Sequence, residues 1–215
     1  MALSCIVFDC DGIILESVDA KSMAFARICD EIDHRLTDDF VAYTILHGGV
    51  SRYEKFGWLM HHAYNRDITP EESRVLGEKF SQYSLESVLA SPLVPGFEET
   101  AERWLGKVPM YVASGTPQYE LDEVLRMRGL DRYFTDIFGT PPAKAELLLT
   151  ALHHSGADPK ATVMVGDSKT DWDASLIAGT LFYGRGPYFE DKGVYWGNDL
   201  TGLNPFLEHV AAGSL

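Results

Sequence analysis

The chain has 215 residues, 46% of them hydrophobic, enough for one sizeable core or for one core with an inserted subdomain. Its 18 basic against 32 acidic side chains leave a net charge of −14, which argues against a broad nucleic-acid footprint or attraction to anionic lipid. Any anionic ligand must therefore be met by local positive charge. No apolar run approaches the length of a membrane span, and the start of the sequence lacks the basic segment and long apolar stretch of a secretory signal. The three cysteines, Cys5, Cys10 and Cys29, have neither zinc-site nor disulfide spacing, so a reducing cytoplasm is the expected location and all three are read as packing residues.

Residues 4–8 read as a fully buried strand running straight into Asp9, Cys10, Asp11 and Gly12. Two carboxylates one residue apart at the end of a buried strand are costly unless a cation or a charged ligand offsets them. From about residue 18 to residue 89 helical spacing replaces strand alternation. Phe25, Ile28 and Ile32 share one helix face, Thr37 is placed as an N-cap, and Phe56, Leu59, Met60 and Ala63 share another face. Thr69, Pro70 and Glu72 supply a capping box with proline at the first helical position. The pattern predicts about four helices.

After residues 91–96 strands and helices alternate. Strands are predicted at 107–114, 135–139, 161–167 and 180–184, and helices at 116–129, 143–156 and 171–179. Strands separated by helices require a parallel, doubly wound sheet with helices on both faces. The predicted fold class is therefore α/β, a Rossmann-like core formed by residues 1–16 and 90–215 with an all-helical subdomain inserted at 17–89. Ligands collect at the carboxyl ends of such strands, where Asp9 with Asp11, Ser114 and Asp167 would converge on one crevice. Four of the seven histidines come as adjacent pairs, His61 with His62 and His153 with His154, which point in different directions on a helix and argue against a histidine metal site.

Asp9-Cys10-Asp11-Gly12, then Ser114 after a buried strand, then Lys144, then the run from Gly166 to Asp171, resemble the four ordered motifs of the haloacid dehalogenase superfamily of phosphohydrolases. The helical insertion after the first motif resembles the cap of its phosphoglycolate phosphatase-like and beta-phosphoglucomutase-like members. The resemblance extends to about Gly186. The chain departs from the usual pattern at Ile13, at Glu16 and at Ala145, which follows Lys144 where proline is common. The aromatic stretch after Gly186 matches no motif and is expected to cover a sheet edge or an interface.

Carboxylate attack on a phosphomonoester brings like charges together. At ~4 Å and an effective dielectric of about 20 each unit pair costs about 4 kcal/mol, so a divalent cation is needed, and an all-oxygen site suits magnesium. The resemblance implies that Asp9 is the nucleophile and a metal ligand, that the Asp11 backbone carbonyl and Asp167 also bind metal, and that Asp171 stands behind them. It further implies that the Asp11 side chain serves as general acid and base, a role calling for surroundings that resist ionisation. Ser114, with Gly115 and neighbouring backbone N–H groups, would hold phosphoryl oxygens, and Lys144 would hold the phosphate and orient Asp9.

In the insertion, residues 47–56 resemble the substrate-recognition loop of beta-phosphoglucomutase-like proteins, so Arg52 is expected to bind a substrate group through its planar fork. Lys55 is read as part of a solvated helix face, and His47 is given no role. The expected partner is a small phosphorylated metabolite, phosphoglycolate-like or a sugar phosphate, met by a monomer or a dimer without nucleic acid or membrane. A phosphomutase and a non-catalytic binding module are the alternatives.

Overall fold

The structure, a computed structural model, describes residues 2–213. The first strand, β1 (Cys5–Phe8), is buried along its whole length, with Cys5 and Val7 packed into one hydrophobic layer and Ile6 and Phe8 into the other. That is why it carries an unbroken apolar run instead of polar alternation. All three cysteines are free and buried.

Beyond β1 come four helices, α1 (Val18–Asp33), α2 (Thr37–Leu46), α3 (Arg52–Tyr64) and α4 (Pro70–Ala90). They share a separate cluster in which Phe25 lies 4.3 Å from Phe80 and meets Phe40 edge-on at 5.7 Å. The Thr69–Glu72 capping box forms as expected. Thr37 falls one position inside α2 instead of capping it, because a short 3-10 turn capped by Asp33 delivers the chain, and its hydroxyl donates to Asp30. The end of α4 leaves this cluster, since Leu85, Val88 and Leu89 pack against the sheet's own core. The two connecting segments pair with each other: Glu16 N–H donates to the Pro92 carbonyl (2.9 Å) and Val94 N–H to the Ile14 carbonyl (3.1 Å).

The rest of the chain supplies α5 (Phe97–Trp104), β2 (Met110–Pro117), α6 (Gln118–Met127), β3 (Asp136–Thr140), α7 (Lys144–Ser155), β4 (Thr162–Gly166), α8 (Lys169–Ala178), β5 (Leu181–Arg185), β6 (Tyr195–Gly197) and α9 (Leu203–Ala211). The six strands form one parallel sheet in the order β3-β2-β1-β4-β5-β6. Helices α5, α6 and α9 cover one face, and α7 and α8 the other. This is the expected doubly wound α/β fold. The aromatic stretch completes its edge: β6 adds the sixth strand, Phe189 enters the core, and Phe206 stacks near Tyr183 and Tyr195. Strand order reverses at β1 and β4, which opens the crevice at their carboxyl ends. No helix among the described residues is long and apolar enough to cross a membrane.

Candidate active site

Three strand ends and one helix start build the floor of the crevice. Asp9 follows β1 and is fixed by its own N–H, which donates to the Val165 carbonyl at 2.9 Å. Its Oδ1 accepts the Cys10 N–H at 2.7 Å and faces the Lys144 ammonium at 2.7 Å. Lys144, the first residue of α7, also meets Asp171 Oδ1 at 2.8 Å and donates to the Ala113 carbonyl at 3.0 Å. The other oxygen of Asp171 accepts from the Ser168 N–H and hydroxyl, closing the capping box of α8. Asp167 follows β4 directly after Gly166, and oxygens of Asp9, Asp167 and Asp171 all lie within 4.8 Å of one another. Gly12 permits this approach. Its φ is +76° and a Cβ there would occupy the place of the Asp167 carboxylate.

This crowding has an electrostatic cost. Burial pushes Asp9 up to about 7 against the pull of Lys144, with Asp171 and Asp11 adding to the rise. Burial and Asp9 hold Asp167 well above the ordinary carboxylate range. For Lys144, burial alone would favour the neutral amine, but Asp171 and Asp9 outweigh it and hold the ammonium above its usual range. One ammonium shared by a buried acidic cluster leaves positive charge wanting, and the donors are all oxygen. Such a set fits a hard divalent ion, with Asp9 and Asp167 placed to hold it and Asp171 tied up behind them. No histidine joins this cluster among the described residues.

Asp11 stands differently from expectation. It accepts hydrogen bonds from Ser17 (2.6 Å), Thr116 (3.1 Å) and Lys21, and pairs with Lys21 as an ion. Burial raises its pKa, but Lys21 and these hydrogen bonds outweigh burial and leave the carboxyl below its usual range. The surroundings thus favour the carboxylate and do not resist ionisation. Lys21 escaped the sequence reading, although it is the first basic residue after Asp11 and α1 begins at Val18. Ser114 is fully buried and its hydroxyl accepts the Thr116 N–H at 3.2 Å, so Gly115 and Thr116 are the residues of this segment that line the cavity.

A cavity of about 400 Å³ separates this floor from a roof made by the helical insertion. The loop at Gly48 and Gly49 sits on the core: a Cβ at Gly49 would meet the Ser168 hydroxyl at 3.0 Å, and one at Gly115 would meet the Gly49 carbonyl at 2.5 Å. Val18, Phe25, Ile45, Leu46, Val50 and Phe80 give the roof an apolar lining. Arg52 lines the same space, but its fork is engaged by both oxygens of Glu120 on α6, at 2.8 and 2.5 Å, and by Ser81 at 2.9 Å. Lys55 corrects the reading of a solvated face: it is 7% exposed and lines the cavity. His47 lies outside the lining, its ring against Tyr43.

A parallel sheet whose strand ends gather carboxylates under a helical roof defines a capped α/β hydrolase with an acidic, all-oxygen site. The chain belongs to the family of haloacid dehalogenase-like hydrolases, whose family model matches residues 3–179. A "phosphorylated carbohydrates phosphatase" of Thermotoga maritima is 27% identical over 82% of this chain and 82% of its own length. A "probable phosphoglycolate phosphatase" of Pseudomonas putida is 27% identical over 94% of this chain and 85% of its own. The solved structure of beta-phosphoglucomutase from Clostridium difficile shares the fold, with a TM-score of 0.82 at 18% identity, covering 99% of this chain and 98% of that one.

Proposed function

We propose that this protein is a magnesium-dependent phosphoric monoester hydrolase acting on a small phosphorylated metabolite, phosphoglycolate-like or a sugar phosphate, through an aspartyl-phosphate on Asp9. The observation that carries the reading is the convergence of Asp9, Asp167 and Asp171 on a shared point beneath a roofed cavity, with Lys144 fixed between Asp9 and Asp171. Two curated relatives are named as phosphatases, which supports the same class of reaction.

In this reading Asp9 and Asp167 with the Asp11 carbonyl would hold the ion, which would supply positive charge to offset repulsion between carboxylate and phosphate. Lys144 offsets part of the cost of ionising Asp9 and aims it. Asp9 Oδ attacks phosphorus, the ester oxygen leaves, and water then releases phosphate and restores Asp9. Asp11 takes a proton from solvent against the Lys21 pairing, gives it to the departing ester oxygen and, again a carboxylate, takes a proton from the attacking water. Gly115 lines the cavity where the phosphoryl oxygens would sit, while Ser114 holds the Thr116 N–H and Asp11 the Thr116 hydroxyl, which braces that turn from beneath.

The test is a panel of phosphorylated metabolites assayed with magnesium for release of inorganic phosphate, with Asp9→Asn as the blank. Release that depends on Asp9 supports the reading. Isomerised sugar phosphate formed only with a sugar bisphosphate would establish the mutase in its place, and absence of turnover on every substrate, aryl phosphates included, would leave the binding module.

A further inference from the structure

The charges around the cavity pair off almost completely. Lys144 serves Asp9 and Asp171, Lys21 serves Asp11, and Arg52 serves Glu120. Asp167 is left over on the floor, where a cation would meet it. Lys55 is left over on the roof. Among the described residues no carboxylate lies within ion-pair distance of its ammonium, which sits over the Phe25 ring, 5.2 Å from the centroid. Its helix neighbours Tyr53 and Glu54 are exposed, so α3 had solvent available and turned Lys55 inward.

An ammonium held in an apolar wall without a counter-ion is destabilised, and a cation–π contact offsets only part of that. Burial, with Lys21 and Arg52 nearby, lowers the Lys55 pKa to about 8 against the opposing pull of Asp11 and Asp167, which line the same cavity without pairing with it, so the group stays largely cationic at neutral pH. Arg52, the other cation of the roof, is neutralised by Glu120. The free charge of the roof is therefore a single positive one, the complement of one carboxylate and not of a second phosphate dianion.

We infer that Lys55 receives a carboxylate carried by the substrate at the end remote from its phosphate, which makes the substrate class phosphorylated small hydroxy acids in preference to neutral sugar phosphates. This rests on the phosphatase reading above. It assigns the specificity of the roof to Lys55 and not to Arg52.

The test is a ladder of phosphorylated hydroxy acids of increasing chain length, each paired with the alkyl phosphate in which a methyl replaces the carboxylate. The readout is the ratio of kcat/KM between the two members of a pair. The wild-type protein is expected to favour the acid at one rung, and Lys55→Met to lower that ratio by about ten- to a hundredfold, the worth of one charge-assisted hydrogen bond. Lys55→Arg, which keeps the charge, is expected to retain most of it. A ratio unchanged in Lys55→Met overturns the assignment, whether both rates fall together or neither falls. If the wild-type protein hydrolyses no member of the ladder but releases phosphate from sugar phosphates, the hydroxy-acid class is overturned and the phosphatase reading stands; if it releases phosphate from no ester at all, the phosphatase reading fails by itself. Calorimetric binding of the same pairs to Asp9→Asn, with and without Lys55→Met, then decides Lys55: a preference for the acid that the second substitution abolishes supports it, and no preference overturns it.

Discussion

On the floor of the cavity Lys144 is 5% exposed and is shared by two carboxylates, whereas on the roof Lys55 is 7% exposed and shared by none. The floor is an interlocked set in which each charge holds another in place, as preorganised chemistry requires. The roof is an apolar shell with one uncommitted cation, as selection of a ligand requires. Burial alone therefore says little about a lysine; the partner decides whether it is structural or waiting.

The largest expected effect breaks the floor at its centre. Asp9→Asn removes the proposed nucleophile while keeping size and burial, and turnover is expected to fall by about 10³-fold or more. Phosphate release with magnesium measures it, and a normal rate would end the mechanism.

The same substitution at the two lysines should then give opposite signs. Lys144→Met strands Asp9 and Asp171, and breaking a buried pair this way costs about 3–5 kcal/mol in a denaturant titration. Lys55→Met removes an unpaired ammonium from an apolar wall and is expected to leave stability unchanged or raised at pH 7. The pH dependence gives the sign independently. The folded-state pKa of about 8 lies below the ordinary 10.5, so the folded protein binds fewer protons in between and its stability rises with pH across that window. The penalty, roughly 3 kcal/mol, is full below pH 8 and gone above 10.5. The advantage of Lys55→Met over the wild type should shrink to nothing over the same interval; an advantage independent of pH would show that the ammonium is not the cause.

Magnesium addresses the floor alone. Asp9 is raised to about 7 without an ion, so its contribution to stability is complete below the ordinary 3.8 and lost as pH rises through 7. An ion that binds the carboxylates reverses that loss, by about 2.7 kcal/mol at a hundredfold excess over Kd. The thermal shift with magnesium is expected to be larger at pH 7.5 than at pH 5.5, where protons compete, and to be largely absent in Asp9→Asn. An equal shift in both proteins would place the ion elsewhere.

The contrast between floor and roof also explains what the sequence could disclose. Alternating strands and helices dictate a parallel sheet, the sheet puts Asp9, Ser114 and Asp167 at one edge, and each of those residues directly follows an apolar run. The roof depends on how α3 is rotated within the insertion. Its buried residues are Arg52, Lys55, Phe56, Leu59 and Met60, a regular helical stripe, so the signal was present. Residue type hid it, since a basic side chain extending an apolar stripe reads as solvated. The Arg52–Glu120 pair spans the insertion and the core, and nothing local announces it. The surroundings of Asp11 were hidden for the same reason: Lys21 reaches it from α1 and favours the carboxylate. The half-buried, three-residue β6 was too short to show a period.

The smallest effect tests the contact between the two regions. Gly115 on the floor leaves room for the Gly49 carbonyl of the roof, and an added Cβ would stand 2.5 Å from that oxygen. The obstructing atom is backbone, so Gly115→Ala has to lift the Gly49 loop, while Gly115 itself carries no positive φ that alanine would strain. Lifting the loop admits water above Asp9 and moves the roof away from its ligand. The expected result is a fall of about tenfold in kcat/KM, some 1.4 kcal/mol, with the denaturant midpoint little changed. Gly49→Ala meets the Ser168 hydroxyl from the other side but adds the strain of φ +76°, so its loss should appear in stability as well as turnover. If Gly115→Ala lost stability and kept full turnover, the seating of the loop would matter to folding and not to catalysis, and closure of roof on floor would have no part in the chemistry.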